Sequence, residues 1–80
     1  MKQVVLTATA TRQLAKLPTM LRARIVTKIE SYAATGGGDV KRLQGRDGTR
    51  LRVGNYRVII GEDAMTLRVL AVGHRRDIYN

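Results

Sequence analysis

Arginine is the residue of this chain best suited to chemistry, and it gathers in the second half. From Lys41 onward nine basic residues (Lys41, Arg42, Arg46, Arg50, Arg52, Arg57, Arg68, Arg75, Arg76) stand against four acids, and eight of the nine are arginine. A guanidinium is a planar fork of donors that matches phosphate oxygens, as the point charge of lysine does not. Over the whole chain, fifteen Lys and Arg against six acids give +9, enough to attract polyanions over a distance. Nucleic acid is the first candidate partner; the alternative is a merely solvated cationic surface. For proton transfer the supply is thin. His74 is the only histidine, and an unperturbed imidazole titrates near ~6.5. There is no cysteine, and Asp47, Glu62, Asp63 and Asp77 are scattered over turns, so no metal site and no cofactor is expected.

The elements that must position these arginines follow from periodicity. Val4, Val5 and Leu6 read as a short strand, after which Thr7 or Thr9 can cap a helix carrying Ala10, Leu14 and Leu17 at helical spacing. Pro18 ends that helix. A second is expected over about residues 19–34, with Leu21, Ile25, Ile29 and Tyr32 on one stripe, and Gly36, Gly37 and Gly38 stop it. The basic side of this helical hairpin (Arg22, Arg24, Lys28) is expected to be solvated. Residues 39–43 form a short ordered piece in a glycine-rich, charged connection. Residues 49–53, 56–61 and 66–74 are β-rich and broken at Gly54-Asn55 and at residues 62–65, a three-stranded meander. The fold class is therefore α+β: a small antiparallel-type sheet, β-α-α-β-β-β, with a two-helix hairpin on one face.

Turn lengths set the register of the meander. A two-residue turn at Gly54-Asn55 places Arg52 opposite Arg57, Leu51 opposite Val58 and Arg50 opposite Ile59. A four-residue loop at 62–65 then places Ile60 opposite Leu67, Ile59 opposite Arg68, Arg57 opposite Leu70 and Tyr56 opposite Ala71. Alternation gives one apolar face (Leu51, Val53, Tyr56, Val58, Ile60, Leu67, Val69, Ala71) for the helices. The other face carries Arg50, Arg52, Arg57, Arg68 and His74, with Ile59, Leu70 and Val72 between them. Like charges directly across a strand pair are unfavourable by a few tenths to about 1 kcal/mol. An anion between Arg52 and Arg57 turns that repulsion into attraction, so this face reads as a phosphate site. The alternative is that both guanidiniums splay into water.

At 80 residues, 44% of them hydrophobic, the chain suits one domain, 1–80, with one thin core. No apolar run approaches the ~18 residues of a membrane span, so no membrane association is expected and the cytoplasm is the default.

Two segments, LQGRDGTRLRVGNYRVI (residues 43–59) and VGHRRDIY (residues 72–79), resemble the RelE branch of the RelE/ParE toxin superfamily in order, spacing and position after two helices. The resemblance implies a sheet with two helices packed on one side. It also implies a cytoplasmic toxin paired with an antitoxin and, in the RelE branch, cleavage of messenger RNA in the ribosomal A site. By position, Arg50 and Arg52 match two basic strand residues, and Arg57 the arginine that holds the scissile phosphate. Arg75 matches the basic residue after the Gly-X element, and Tyr79 the C-terminal aromatic. Two strand arginines replace the lysines of the best-known member, and an arginine is a poor proton donor.

RNA is cut without metal by attack of its own 2′-hydroxyl, which needs a base, a cation on the phosphorane and an acid at the leaving 5′-oxygen. In this scheme Arg57 and Arg75 clamp the phosphate, and Tyr79 is base or stacking platform. His74 is the candidate acid or else a structural imidazole at a strand end. Arg50, Arg52, Arg68 and Arg76 grip the RNA backbone. The ParE branch shares the fold but inhibits DNA gyrase without nuclease chemistry, and a non-catalytic RNA-binding protein is a third possibility. Expected partners are ribosome, mRNA and an antitoxin whose acidic or amphipathic segment masks the arginine face in a hetero-oligomer.

Overall fold

The computed structural model describes residues 2–45 and 48–78. It consists of β1 (Gln3–Leu6), α1 (Ala8–Ala15), α2 (Thr19–Thr35), β2 (Val40–Arg42), β3 (Thr49–Val53), β4 (Tyr56–Glu62) and β5 (Thr66–His74). Of the two candidate caps it is Thr7 that starts α1, its hydroxyl accepting from the Ala10 N–H at 3.1 Å. Pro18 stands at the N-cap of α2, where a missing N–H costs nothing, and Gly36 closes the helix in the left-handed region at φ 73°. No helix among the described residues is long and apolar enough to cross a membrane.

The strands form one sheet in the order β1-β5-β4-β3-β2. The β2 to β5 run is antiparallel throughout, while β1 lies parallel to β5, with Val4 beside Leu67 and Leu6 beside Val69. The parallel neighbour is possible because the two helices carry the chain across the sheet between β1 and the meander. Ala10 and Leu14 of α1 and Ile25, Ile29 and Ala33 of α2 lie buried against Leu51, Val53, Val58, Ile60, Leu67, Val69 and Val72. Each fully buried aliphatic chain here contributes about 1.5–3 kcal/mol.

The β3–β4 register is as expected: Arg52 faces Arg57, Leu51 faces Val58 and Arg50 faces Ile59. Gly54 alone takes a positive φ, 59°, at the first central position of the turn, as a II′ hairpin demands. The β4–β5 register departs from expectation in two steps. First, Glu62 remains in the strand opposite Leu67. The Asp63 carboxylate accepts from the Met65 and Thr66 N–H groups, at 2.9 and 2.8 Å, and shortens the connection to a tight turn. Ile60 therefore faces Val69, a shift of two that preserves the faces. Second, a bulge between Ile59 and Ile60 leaves Leu70 as an extra residue, so Ile59 faces Ala71, Arg57 faces Gly73 and Tyr56 faces His74.

That extra residue reverses the faces beyond it. Val72 lies in the core at 2% exposure, and Ala71, expected beneath the helices, lies beside Ile59 on the opposite face. The bulge is held from outside the meander. The Thr7 hydroxyl donates to the Leu70 carbonyl at 3.0 Å, and the Gln13 side-chain oxygen accepts from the Val72 N–H at 2.7 Å. Strand β1 ends at Leu6, so these two side chains satisfy the β5 edge that β1 leaves uncovered.

Candidate nucleic-acid interface

The face of the sheet away from the helices carries Lys41, Arg50, Arg52, Arg57 and Arg68, as register with their core-facing neighbours requires. Lys41 lies beside Arg50, and Arg52 beside Arg57, forming two basic rows at the hairpin end. Ile59 sits among them and is buried, yet it is no member of the core cluster beneath the helices. It is thus an apolar floor on the cationic side.

The Arg57 guanidinium turns back along its own strand and donates to the carbonyls of Gly54 and Tyr56, at 2.9 and 3.0 Å. Arg52 leans the other way, its Nη1 3.9 Å from the Asp39 carboxylate, a long contact between two half-exposed groups. The opposed pair is therefore splayed, with a gap between the two cations. Arg75 joins this end through its main chain, whose N–H donates to the Asn55 carbonyl at 2.8 Å. The turn that follows β5 folds back, and a Cβ placed on Gly73 would stand 3.2 Å from Ile78 Cδ1. Glycine at 73, opposite Arg57, leaves Ile78 room to lie close to the sheet. An isolated glycine within a strand pattern is a signal for such a close approach, and Gly73 had that signature.

Two expected members stand elsewhere. His74 is opposite Tyr56 on the helix side, the rings meeting edge to face with centroids 5.4 Å apart, and its Nδ1 accepts from the Arg76 N–H at 3.2 Å. It is not on the arginine face, because the Leu70 bulge reverses the alternation that placed it there. Arg68 shares the face but lies beside Gly61, four residues along β4 from Arg57, or about 13 Å at strand rise. Its Nη1 is 3.7 Å from Asp63, and with Gly48, Gly61 and Leu70 it lines a separate open cavity of about 560 Å³. Arg76 is exposed in the C-terminal turn. Tyr79 lies outside the described residues.

A further polar cluster was not foreseen. Glu62 accepts from the Tyr32 hydroxyl at 2.6 Å and pairs with the Lys2 ammonium at 2.7 Å, joining α2, β4 and the start of β1. The Lys2 hydrogen bond, followed by that of Tyr32, holds the Glu62 carboxyl below the usual range. The same carboxylate pushes the Tyr32 phenol up, with burial adding to it. This cluster fastens the far end of the sheet.

A four-strand antiparallel run closed by a parallel first strand, two helices on one side and arginines on the other, is the architecture of the RelE-like toxins. The family model described as the ParE toxin of the type II toxin-antitoxin system, parDE, matches residues 4–79. The chain belongs to this family, within the RelE/ParE superfamily of type II toxin-antitoxin toxins. Solved structures agree. A chain of the RelB-RelE antitoxin-toxin complex from Methanococcus jannaschii is 29% identical, with 95% of each chain covered and a TM-score of 0.78. One from the toxin-antitoxin complex RelBE2 of Mycobacterium tuberculosis is 30% identical, over 92% of this chain and 98% of that one, with a TM-score of 0.80. The archaeal RelE-RelB complex from Pyrococcus horikoshii, at 22% identity and a TM-score of 0.80, with 95% and 97% of the two chains covered, shares the fold. No curated protein matches the chain by sequence.

Proposed function

We propose that this toxin cleaves messenger RNA in the ribosomal A site without a metal ion. The observation that carries the reading is the meeting of Arg52, Arg57 and the main chain of Arg75 at one end of an open sheet face. Among the described residues no ion pair engages Arg57 or Arg75. A phosphodiester seated between Arg52 and Arg57 replaces their mutual repulsion with two charge-assisted contacts. The 2′-oxygen then attacks phosphorus and the bond to the 5′-oxygen breaks, leaving a 2′,3′-cyclic phosphate and a 5′-hydroxyl. Arg57 and Arg75 stabilise the charge that grows on the phosphorane, and Arg50 and Arg52 hold the flanking backbone. Tyr79 takes the proton of the 2′-hydroxyl. With His74 turned toward Tyr56, water supplies the proton to the 5′-oxygen. A RelB-type antitoxin with an acidic or amphipathic segment neutralises the toxin by covering the same arginines.

The position of His74 also favours a second reading, inhibition of DNA gyrase by binding alone, because it removes the one histidine from the arginine face. Primer extension on a translated mRNA, with and without ribosomes, separates the two. We expect discrete ribosome-dependent cuts, lost in Arg57→Ala and Tyr79→Phe and retained in His74→Gln. Intact mRNA with growth still arrested would transfer the function to gyrase.

A further inference from the structure

The arginines of the sheet are not alone at the hairpin end. Arg24 of α2 reaches the same turn: a Cβ on Gly54 would stand 4.0 Å from both terminal nitrogens of its guanidinium. Arg57 donates to the carbonyl of that same glycine at 2.9 Å. Two cations from different layers of the fold thus flank one residue. Glycine at 54 serves the left-handed φ of 59°, and the Arg24 guanidinium lies at ordinary contact distance from it.

A second observation extends this along the helix. Lys28 lies four residues after Arg24, on the same side of α2. With Ser31, Gly38, Asp39, Leu51 and Arg52 it lines a cleft of about 230 Å³ between the helix and the end of β3, where the Asp39 carboxylate lies 3.9 Å from Arg52. Strand β2 pairs with β3 only as far as Leu51, and just beyond it the Arg52 N–H donates to the Asp39 carbonyl at 2.8 Å, so the Arg52 side chain stands at the end of the covered edge. The basic stripe of α2 therefore runs beside the sheet edge and hairpin turn at which Arg52 and Arg57 lie. No ion pair among the described residues involves Arg24 or Lys28. A basic helix face that was only solvated would gain by turning from Arg52 and Arg57, since like charges in proximity repel.

We propose that Arg24 and Lys28 form a second bank of the nucleic-acid site, so that a single RNA strand gripped by Arg52 and Arg57 continues over the hairpin end and along α2. The inference rests on the RNA reading above and adds two phosphate contacts from the helical layer. Helix α1 supplies a matched comparison, because Arg12 and Lys16 are also exposed and four residues apart, and no described contact links them to the sheet arginines.

The test is fluorescence anisotropy of a labelled oligouridylate, methylated at its 2′-oxygens to block cleavage, titrated with the full chain from about 50 to 200 mM salt. For single strands each phosphate contact contributes about 0.7 to the slope of log affinity against log salt. The double variant Arg24→Gln/Lys28→Gln is expected to lower that slope by about 1.4. Arg12→Gln/Lys16→Gln, with the same net charge, is expected to leave it near the wild-type value. Arg24→Lys is expected to keep the slope, since the charge remains. If the two double variants bind alike while Arg57→Gln binds weakly, the second bank does not exist and the sheet site stands. If Arg57→Gln also binds as wild type does, the RNA reading fails and the inference with it. If the α2 variant loses only a glutamate-rich peptide and keeps the oligonucleotide, the stripe docks protein and the proposal is overturned.

Discussion

Replacing Arg52 by glutamine should make the protein more stable while disabling it. Arg52 and Arg57 are direct cross-strand partners, and their guanidiniums splay, one toward Asp39 and one over the hairpin turn. Like charges directly opposed across a strand pair repel by about 0.5–0.7 kcal/mol, the middle of the range for such pairs. Removing Arg52 releases that repulsion and gives up the contact with Asp39. At 3.9 Å and with both side chains 58% exposed, that contact contributes a few tenths of a kcal/mol at most. The net gain of about 0.3–0.5 kcal/mol corresponds to a Tm about 1–4 °C higher for a domain of this size. The assay is thermal unfolding by circular dichroism at low and at high salt, in parallel with RNA binding. At high salt the difference should vanish, because screening removes the repulsion in the wild type as well. Adding inorganic phosphate at low salt should raise the wild-type Tm more than that of Arg52→Gln, since only the wild type keeps both cations for the anion. A Tm that fell at low salt, or phosphate stabilisation equal in the two proteins, would refute the argument that an anion belongs between these arginines.

The scaffold makes its own predictions. Gly48 has φ 128°, and a Cβ there would stand 3.0 Å from the Ile60 carbonyl oxygen, so Gly48→Ala should destabilise by about 1–3 kcal/mol in urea unfolding. Gln13→Leu leaves the Val72 N–H without its partner in a part-buried position, and chemical denaturation should show a loss of about 1–3 kcal/mol. The Glu62 carboxyl titrates below its unfolded range, so the stability it supplies is present above the unfolded value near ~4.3 and fades as pH falls through the lower folded one. A pH series of unfolding free energies should show this acid-side decline diminished in Glu62→Gln.

Much of this architecture is legible in the sequence because it is local. Thr7, Pro18 and Gly36 punctuate the helices, and Gly54-Asn55 dictates a two-residue turn, so the opposition of Arg52 and Arg57 follows from spacing alone. The β4–β5 register is not local. Asp63 tightens its turn by folding its carboxylate onto two backbone N–H groups, which residue identity permits but does not demand. The bulge is harder still. Val69, Leu70, Ala71 and Val72 are all apolar, so the alternation that tells one face from the other falls silent where an extra residue enters. What settles the position is Thr7 and Gln13, some sixty residues earlier in the chain, at sequence separations of 63 and 59 from their partners. The approach of Arg24 to Gly54 is equally hidden, because helix periodicity identifies a polar side without saying what lies beside it.

The bulge also decides the chemistry. Without Leu70 as an extra residue His74 would share a face with Arg57, and the site would hold an imidazole among its guanidiniums. With it, His74 packs edge-on against Tyr56 and accepts a main-chain N–H. The same reversal places Gly73 opposite Arg57, where a Cβ would press on the end of the Ile78 side chain beside the turn that ties Arg75 to Asn55. The fold thus brings to Arg57 a C-terminal turn in place of a histidine. What the described residues assemble around Arg57 is cationic, a set that would stabilise a phosphorane but transfers no proton. Any nuclease activity must therefore depend on groups that the C-terminal turn, or a bound ribosome, brings to this face.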